Sequence, residues 1–264
     1  MFGSPHSVLL PTWNNDRVKL YRDEGVVLRT HDLGEADRIV TFLTRRNGQI
    51  RGVAKGIRRT KSRFGARLEP FAMVDVQLYE GRTLDIVTEV STINSFAAHI
   101  GRDYESYTCA SAIAEVTDKL TSQEGLPDEH QYLLLVGALN SLAGRAHDPA
   151  AILDSYILRS LANAGWAVAI NNCAICGTPG PLERFDVRAG GMVCGSCTPR
   201  GAAHLHAETV VLLAALQNGT WADVDSAGAT ARHEATALVS AYLQWHIERK
   251  IKSLDMVGTP LIHL

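Results

Sequence analysis

Gly25-Val26-Val27-Leu28-Arg29, Ile39-Val40-Thr41-Phe42-Leu43 and Gln49-Ile50-Arg51-Gly52-Val53-Ala54 are three short runs rich in β-branched and aliphatic residues, the last two separated by the turn signal Asn47-Gly48. Two further runs follow. From Phe71 to Tyr79 the residues Ala72, Val74, Val76 and Leu78 alternate with more polar neighbours, and from Leu84 to Ile93 the residues Leu84, Ile86, Thr88 and Val90 share a face. Glu80-Gly81-Arg82 marks the hairpin between them. Five short strands within about 75 residues predict a small Greek-key barrel of the OB type, a fold much used to hold single strands of nucleic acid.

Beyond Ile93 the pattern becomes helical. Asp148-Pro149 joins a capping side chain to a proline at the first helical position, and Ile152, Leu153, Tyr156, Ile157, Ser160, Leu161 and Ala164 form one apolar-to-small stripe. Weaker stripes run from about Ile100 to Leu120, Pro127 to Leu142, His204 to Leu216 and Ala229 to Leu254. The first twenty residues, interrupted by Pro5, Pro11, Trp13, Asn14 and Asn15, read as a flexible extension. The expected organisation is an extension over 1–20, an OB-fold domain over 21–96 and a helical domain over 97–264, an α+β multidomain architecture.

Into the helical part is set a pair of hooks, Cys173-Ala-Ile-Cys176 and Cys194-Gly-Ser-Cys197, 17 residues apart. Two Cys-x-x-Cys pairs joined by a connector of roughly 15 to 20 residues are the pattern of a four-thiolate zinc site. Four sulfurs leave no open coordination position, so one structural Zn2+ is expected, within a finger spanning 171–199. Two disulfides or a redox dithiol are the competing readings. Glycine directly after Cys176 and Cys194 suits the tight turn of a metal knuckle. The fifth cysteine, Cys109, reads as a small buried residue on a helix.

A formal net charge of −2 conceals a concentration of positive charge. Arg45, Arg46, Arg51, Lys55, Arg58, Arg59, Lys61, Arg63 and Arg67 are nine basic residues in a stretch without an acidic one, and removing them leaves the rest of the chain at −11. That is the footprint of a phosphate-binding surface; a merely solvated loop is the plainer alternative. Phe64, among these cations, can stack on a base or anchor the loop to the barrel. Arg249, Lys250 and Lys252 either extend the surface or complement a helix end.

Enzyme signatures fail in specific places. There is no G-x-x-x-x-G-K, G-x-G-x-x-G or G-x-S-x-G. His233-Glu234 opens like a zincin helix, but Ala237 stands where the second histidine belongs. His206-Ala207-Glu208 follows the cysteine hooks, whereas the zinc-deaminase signature places it before them. No apolar run approaches the ~18 residues of a membrane span, which with few cysteines outside the metal set points to a cytoplasmic protein.

The runs Gly25–Arg29, Gly34-Glu35-Ala36-Asp37-Arg38-Ile39-Val40, Thr44–Gly48 and Val53–Phe64 together resemble the N-terminal domain of the RecO family of bacterial DNA repair and recombination mediators. The resemblance continues through Leu68-Glu69-Pro70-Phe71, Gly165-Trp166, the four-cysteine insert and His246–Leu254, and so covers about residues 21 to 255. It implies binding of single- and double-stranded DNA, annealing of complementary strands without covalent catalysis, and RecF-type recombinase loading with RecR and single-stranded-DNA-binding protein as partners. The recombinase filament would be met indirectly, in the bacterial cytoplasm at the nucleoid and not at a membrane. It also implies a pocket in the helical domain for the acidic, apolar-ended tail of single-stranded-DNA-binding protein, with Arg145 and Arg159 as candidate rim charges. A zinc-dependent nucleic-acid-processing enzyme and an RNA-binding zinc-ribbon adaptor are the alternatives from other classes.

Overall fold

The computed structural model describes residues 20–123, 125–247 and 252–257. The extension expected over 1–20 lies outside the described residues apart from Leu20, as do Arg249, Lys250 and the side chain of Lys252.

Five strands, β1 (Leu20–Leu33), β2 (Asp37–Thr44), β3 (Gly48–Ala54), β4 (Ala72–Tyr79) and β5 (Asp85–Ser95), close into a barrel in the order β1-β2-β3-β5-β4. Strand β1 is long enough to serve both sides of the closure, because a bulge between Val27 and Arg29 bends it. Its first half pairs with β4 from Leu20 to Val26, and its second half pairs with β2. A short parallel contact of Gly52 and Val53 with Asp85 and Ile86 completes the ring. The alternation read in β4 is realised: Ala72, Val74, Val76 and Leu78 all face the barrel core. In β5 the expected face is displaced. A register shift between Gln77 and Leu78 puts Val87 inside, and Leu84, Ile86, Thr88 and Val90 are only partly buried.

The remainder is helical: α1 (Ala97–Ile100), α2 (Tyr104–Leu120), α3 (Glu129–Gly144), α4 (Pro149–Asn163), α5 (Ala207–Asn218), α6 (Trp221–Ser226) and α7 (Ala229–His246). Asp103, Asp128 and Asp148 cap α2, α3 and α4 by accepting from the backbone N–H groups of Ser106, Gln131 and Ala151. Each such cap is worth about 1 kcal/mol. Helix α4 sits centrally, against α2, α3, α5 and α7, and its residues from Ala151 to Leu158 are all buried. The closing stripe expected to run to Leu254 stops as a helix at His246, with a separate 3-10 turn at Lys252–Met256. No helix among the described residues is long and apolar enough to cross a membrane.

The barrel has two apolar neighbourhoods. One is its own interior, with Val27, Val40, Phe42, Phe64 and Val87. The other is shared: Val26, Leu28, Leu43 and Phe71 join the helical core formed around Ile113, Leu135 and Ile157. The β2–β3 turn touches the segment before α3 so closely that a Cβ on Gly48 would stand 2.0 Å from the Leu126 carbonyl oxygen, and its φ of +66° is itself a glycine conformation. Barrel and helices thus pack as one body.

Candidate metal centre and nucleic-acid interface

Three short strands, β6 (Arg184–Asp186), β7 (Gly191–Val193) and β8 (Ala203–His204), form a small sheet between α4 and α5, and the cysteine hooks hang from it. Cys173 and Cys176 precede the sheet; Cys194 and Cys197 follow β7. The hooks are brought together by backbone pairing: Ala174 donates to the Met192 carbonyl at 2.8 Å, and Met192 donates to Ala169 at 2.7 Å. This approach requires Gly191, whose Cβ would lie 2.2 Å from the Ala169 oxygen. Phe185, Val187 and Met192 join the main core, and Phe185 meets Tyr242 edge-on with ring centres 6.2 Å apart. The module is fixed to α7.

Within the module the sulfurs of Cys173, Cys176, Cys194 and Cys197 all lie within 4.8 Å of one another. Cys176 and Cys194 sulfurs are 3.7 Å apart, far beyond a bond between sulfurs and close to the ~3.8 Å edge of a tetrahedron with ~2.3 Å metal–sulfur arms. The residues fit a metal. Backbone N–H groups, that of Cys176 foremost and then that of Cys194, hold the Cys173 thiol down at about 6, while hydrogen bonding to Cys176 and Cys194 pushes Cys197 up to about 12. Four clustered thiols therefore resist becoming four thiolates without a cation among them, and a divalent ion supplies that charge. Among the described residues this is the one cluster of three or more metal-ligating side chains. His206 instead pairs with Glu234 at 2.6 Å, and Glu208 accepts the Gly228 N–H.

The nine cations do not form one patch. Arg45 and Arg46 stand at the β2–β3 turn, and the seven residues of β3 carry the chain roughly 20 Å to the other end of the barrel before Lys55 is reached. At the first end the cations are engaged. Arg45 donates to Glu129 at 2.8 Å, and Arg46 donates through Nε and its backbone N–H to the buried carboxylate of Asp23, which also accepts from Asn47 at 2.6 Å. Arg51 lies between the ends, on β3, in a groove of about 810 Å³ shared with Arg29, Asp118 and Trp166.

At the second end lie Lys55, Arg58, Arg59, Lys61, Arg63 and Arg67, all exposed on the β3–β4 connection. The loop is held at several points. Gly56 donates to Asp37 at 2.7 Å, Ser62 donates to the Arg59 carbonyl at 2.9 Å, and Ile57, Phe64 and Leu68 plug the barrel core. Arg58 reaches Asp32 at 3.4 Å; Lys55, Arg59, Lys61 and Arg63 have no ion pair among the described residues. Phe64 is 1 % exposed, with the Arg63 guanidinium 4.8 Å from its ring centre. Of its two readings, the structure places it as the anchor and gives it no free face for a base, since its ring fills the barrel interior.

In the helical part, α3 and α4 border a cleft of about 250 Å³ lined by Leu133, Leu134, Ile152, Tyr156, Arg159 and Trp221. Arg159 contributes a charge to an otherwise largely apolar wall. Arg145 caps α3 in a left-handed conformation and is not among the lining residues. Trp221 is backed by His147, stacked on it at 4.0 Å and bonded to Asp225 at 2.9 Å. Sequence reasoning passed over Trp221, because α6 has only six residues and no readable period.

Comparison with known proteins covers both halves. Residues 18–96 match the model for recombination protein O N terminal, and residues 101–255 match that for recombination protein O C terminal. A DNA repair protein RecO of Thermobifida fusca (strain YX) is 52% identical over 240 residues, 91% of this chain and 99% of that protein. Another, from Nocardioides sp. strain JS614, is 52% identical over 241 residues, 90% of this chain and 99% of that protein. A closed five-stranded barrel, a helical body carrying a four-cysteine module, and these matches along nearly the whole length lead to one statement: the chain belongs to the RecO family of DNA repair proteins.

Proposed function

We propose that this protein binds single- and double-stranded DNA through the loop from Lys55 to Arg67, anneals complementary strands without covalent chemistry, and assists recombinase loading in the RecF-type pathway. The observation that carries the reading is the loop itself: six cations and no carboxylate, raised on three buried apolar anchors at one end of a barrel. Annealing brings two polyanions together. A surface that neutralises phosphates lowers their repulsion and needs no nucleotide hydrolysis.

One Zn2+ per chain, bound by Cys173, Cys176, Cys194 and Cys197, has a structural role in this reading. Bound there, it would supply positive charge to four thiolates and tie the two hooks together. The partners are RecR and single-stranded-DNA-binding protein. The cleft lined by Leu133, Ile152, Arg159 and Trp221 suits an acidic peptide with an apolar end, its carboxylates toward Arg159.

The reading is tested by mixing complementary oligonucleotides with the full chain in the absence of ATP. Annealing should proceed, should slow when Lys55, Arg59 and Lys61 are all alanine, and should return both strands chemically intact. A requirement for ATP, or an undiminished rate in the triple variant, would count against it.

A further inference from the structure

With Phe64 buried, the cationic loop holds no aromatic face of its own, yet unpaired bases bind proteins chiefly by stacking. The topology brings other aromatics to the same end of the barrel. The start of β4, the end of β5, α1 and the first turn of α2 all gather there, since Ala72 pairs with Ser95 and the 3-10 turn Gly65–Leu68 touches both strands. On that first stretch of α2 stand Tyr104, 74 % exposed, and Tyr107, 47 % exposed. A spacing of three residues puts them on one helix face.

Tyr107 is held in place by Phe71, edge to face with ring centres 5.8 Å apart. Phe71 stands four residues beyond Arg67 and adopts φ +68°, a conformation costly for an aromatic residue. The connection from the cationic loop into β4 is thus turned so that its aromatic ring meets α2. Exposed Arg102 and His99 adjoin Tyr104 in sequence, and Arg145 is near enough to act on Asp103. Nearby carboxylates are engaged or few: Asp103 caps α2, Glu69 binds Arg38, and Glu105 is exposed.

We infer that Tyr104 and Tyr107 form the base-stacking step of the strand site, receiving unpaired bases of a single strand whose phosphates lie on the loop from Lys55 to Arg67. This rests on the proposed role of that loop and adds to it a preference: single strands gain from the step, and duplexes, whose bases are already stacked, do not.

The test compares the full-length parent, Tyr104→Ala, Tyr104→Trp and the Lys55/Arg59/Lys61 triple alanine variant, measuring affinity for a single-stranded oligonucleotide and for a duplex across a salt series. Tyr104 is so exposed that its replacement leaves the core untouched. Tyr104→Ala should bind the single strand about five- to a hundredfold more weakly, the loss expected of one base–aromatic stack, with an unchanged salt slope and unchanged duplex affinity. Tyr104→Trp should restore binding. Unchanged single-strand affinity in Tyr104→Ala, while the triple variant still loses affinity, overturns the stacking step and leaves the loop standing. Equal losses on single strand and duplex also overturn it. Full affinity in both variants removes loop and step together.

Discussion

The two ends of the barrel carry cations of different kinds, and a salt titration separates them. At the β3–β4 connection, Lys55, Arg59 and Lys61 are exposed without ion pairs among the described residues; at the β2–β3 turn, Arg45 and Arg46 are bonded to Glu129 and Asp23. Each phosphate neutralised on a single strand contributes about −0.7 to the slope of log affinity against log salt. Six contacts from the loop give a slope near −4, so a rise from about 50 to about 200 mM salt should weaken the parent about three hundredfold. With Lys55, Arg59 and Lys61 as alanine the slope should approach −2, and the same rise should cost only about twentyfold. Its thermal stability should stay within about 0.5 kcal/mol of the parent, because exposed charges contribute little. Arg46→Ala should behave in the opposite way. It leaves the slope nearly unchanged but removes the Nε donor from the buried Asp23 carboxylate, a loss on the order of 1–3 kcal/mol seen in urea unfolding. Its backbone N–H remains to soften that loss. Binding followed by fluorescence anisotropy of a labelled oligonucleotide reads the slopes directly. Parallel lines for the parent and the triple variant, with both proteins folded by circular dichroism, would refute the division.

Three further outcomes follow from other parts of the molecule. Purified reduced protein should contain one zinc per chain by elemental analysis, and Cys176→Ser should lower zinc content and melting temperature together, because an ion held by all four sulfurs would tie together two hooks otherwise joined by a few hydrogen bonds. Asp154, wholly buried on α4 with Thr236 donating at 2.6 Å, is pushed up to about 7 by burial. Its raised value means the folded chain holds a proton that the unfolded chain releases near pH 4, so this stabilisation is present below about pH 4 and is lost as pH rises through about 7. Asp154→Asn should therefore flatten the fall in stability between about pH 4 and about pH 7, by at most on the order of 4 kcal/mol, and a parallel pair of stability–pH curves would contradict it. A peptide with acidic residues and an apolar C-terminal end should change Trp221 fluorescence, and Arg159→Ala should weaken its binding about tenfold; unchanged affinity would remove Arg159 from the site.

Much of the fold was legible because its signals are local. Strand β4 alternates with period two, Asp148-Pro149 caps α4, and Asn47-Gly48 turns β2 into β3. The four cysteines were legible for a related reason: a metal knuckle is defined by spacing within a few residues. What escaped depends on contacts distant in sequence. The facing side of β5 is set by a register shift against β4, which no pattern within β5 announces. Strands β6, β7 and β8 have two or three residues each, too few to show a period. Phe64 looks alike in sequence whether it stacks or anchors; only the closed barrel around it decides. The nine cations are contiguous along the chain, but a strand about 20 Å long stands among them, so one sequence cluster became two surfaces.

That separation bears on how annealing would work. The chain outside the proposed loop sums to −8, so a DNA strand is attracted to that loop and repelled by much of the remaining surface. A polyanion held under those conditions is gripped over a short length. Its neighbouring bases stay free, and a second strand can test them for complementarity. A protein coated evenly with cations would bind more tightly but would cover the base edges that pairing requires. Once pairing succeeds, the bases stack on each other and no longer need Tyr104 and Tyr107. The duplex then keeps only the phosphate contacts, which are the part most easily displaced by salt. Weaker hold on product than on unpaired strand gives annealing a direction without a hydrolysed nucleotide. In this scheme the loop sets how strongly strands are gathered, and the tyrosines set which of them is released.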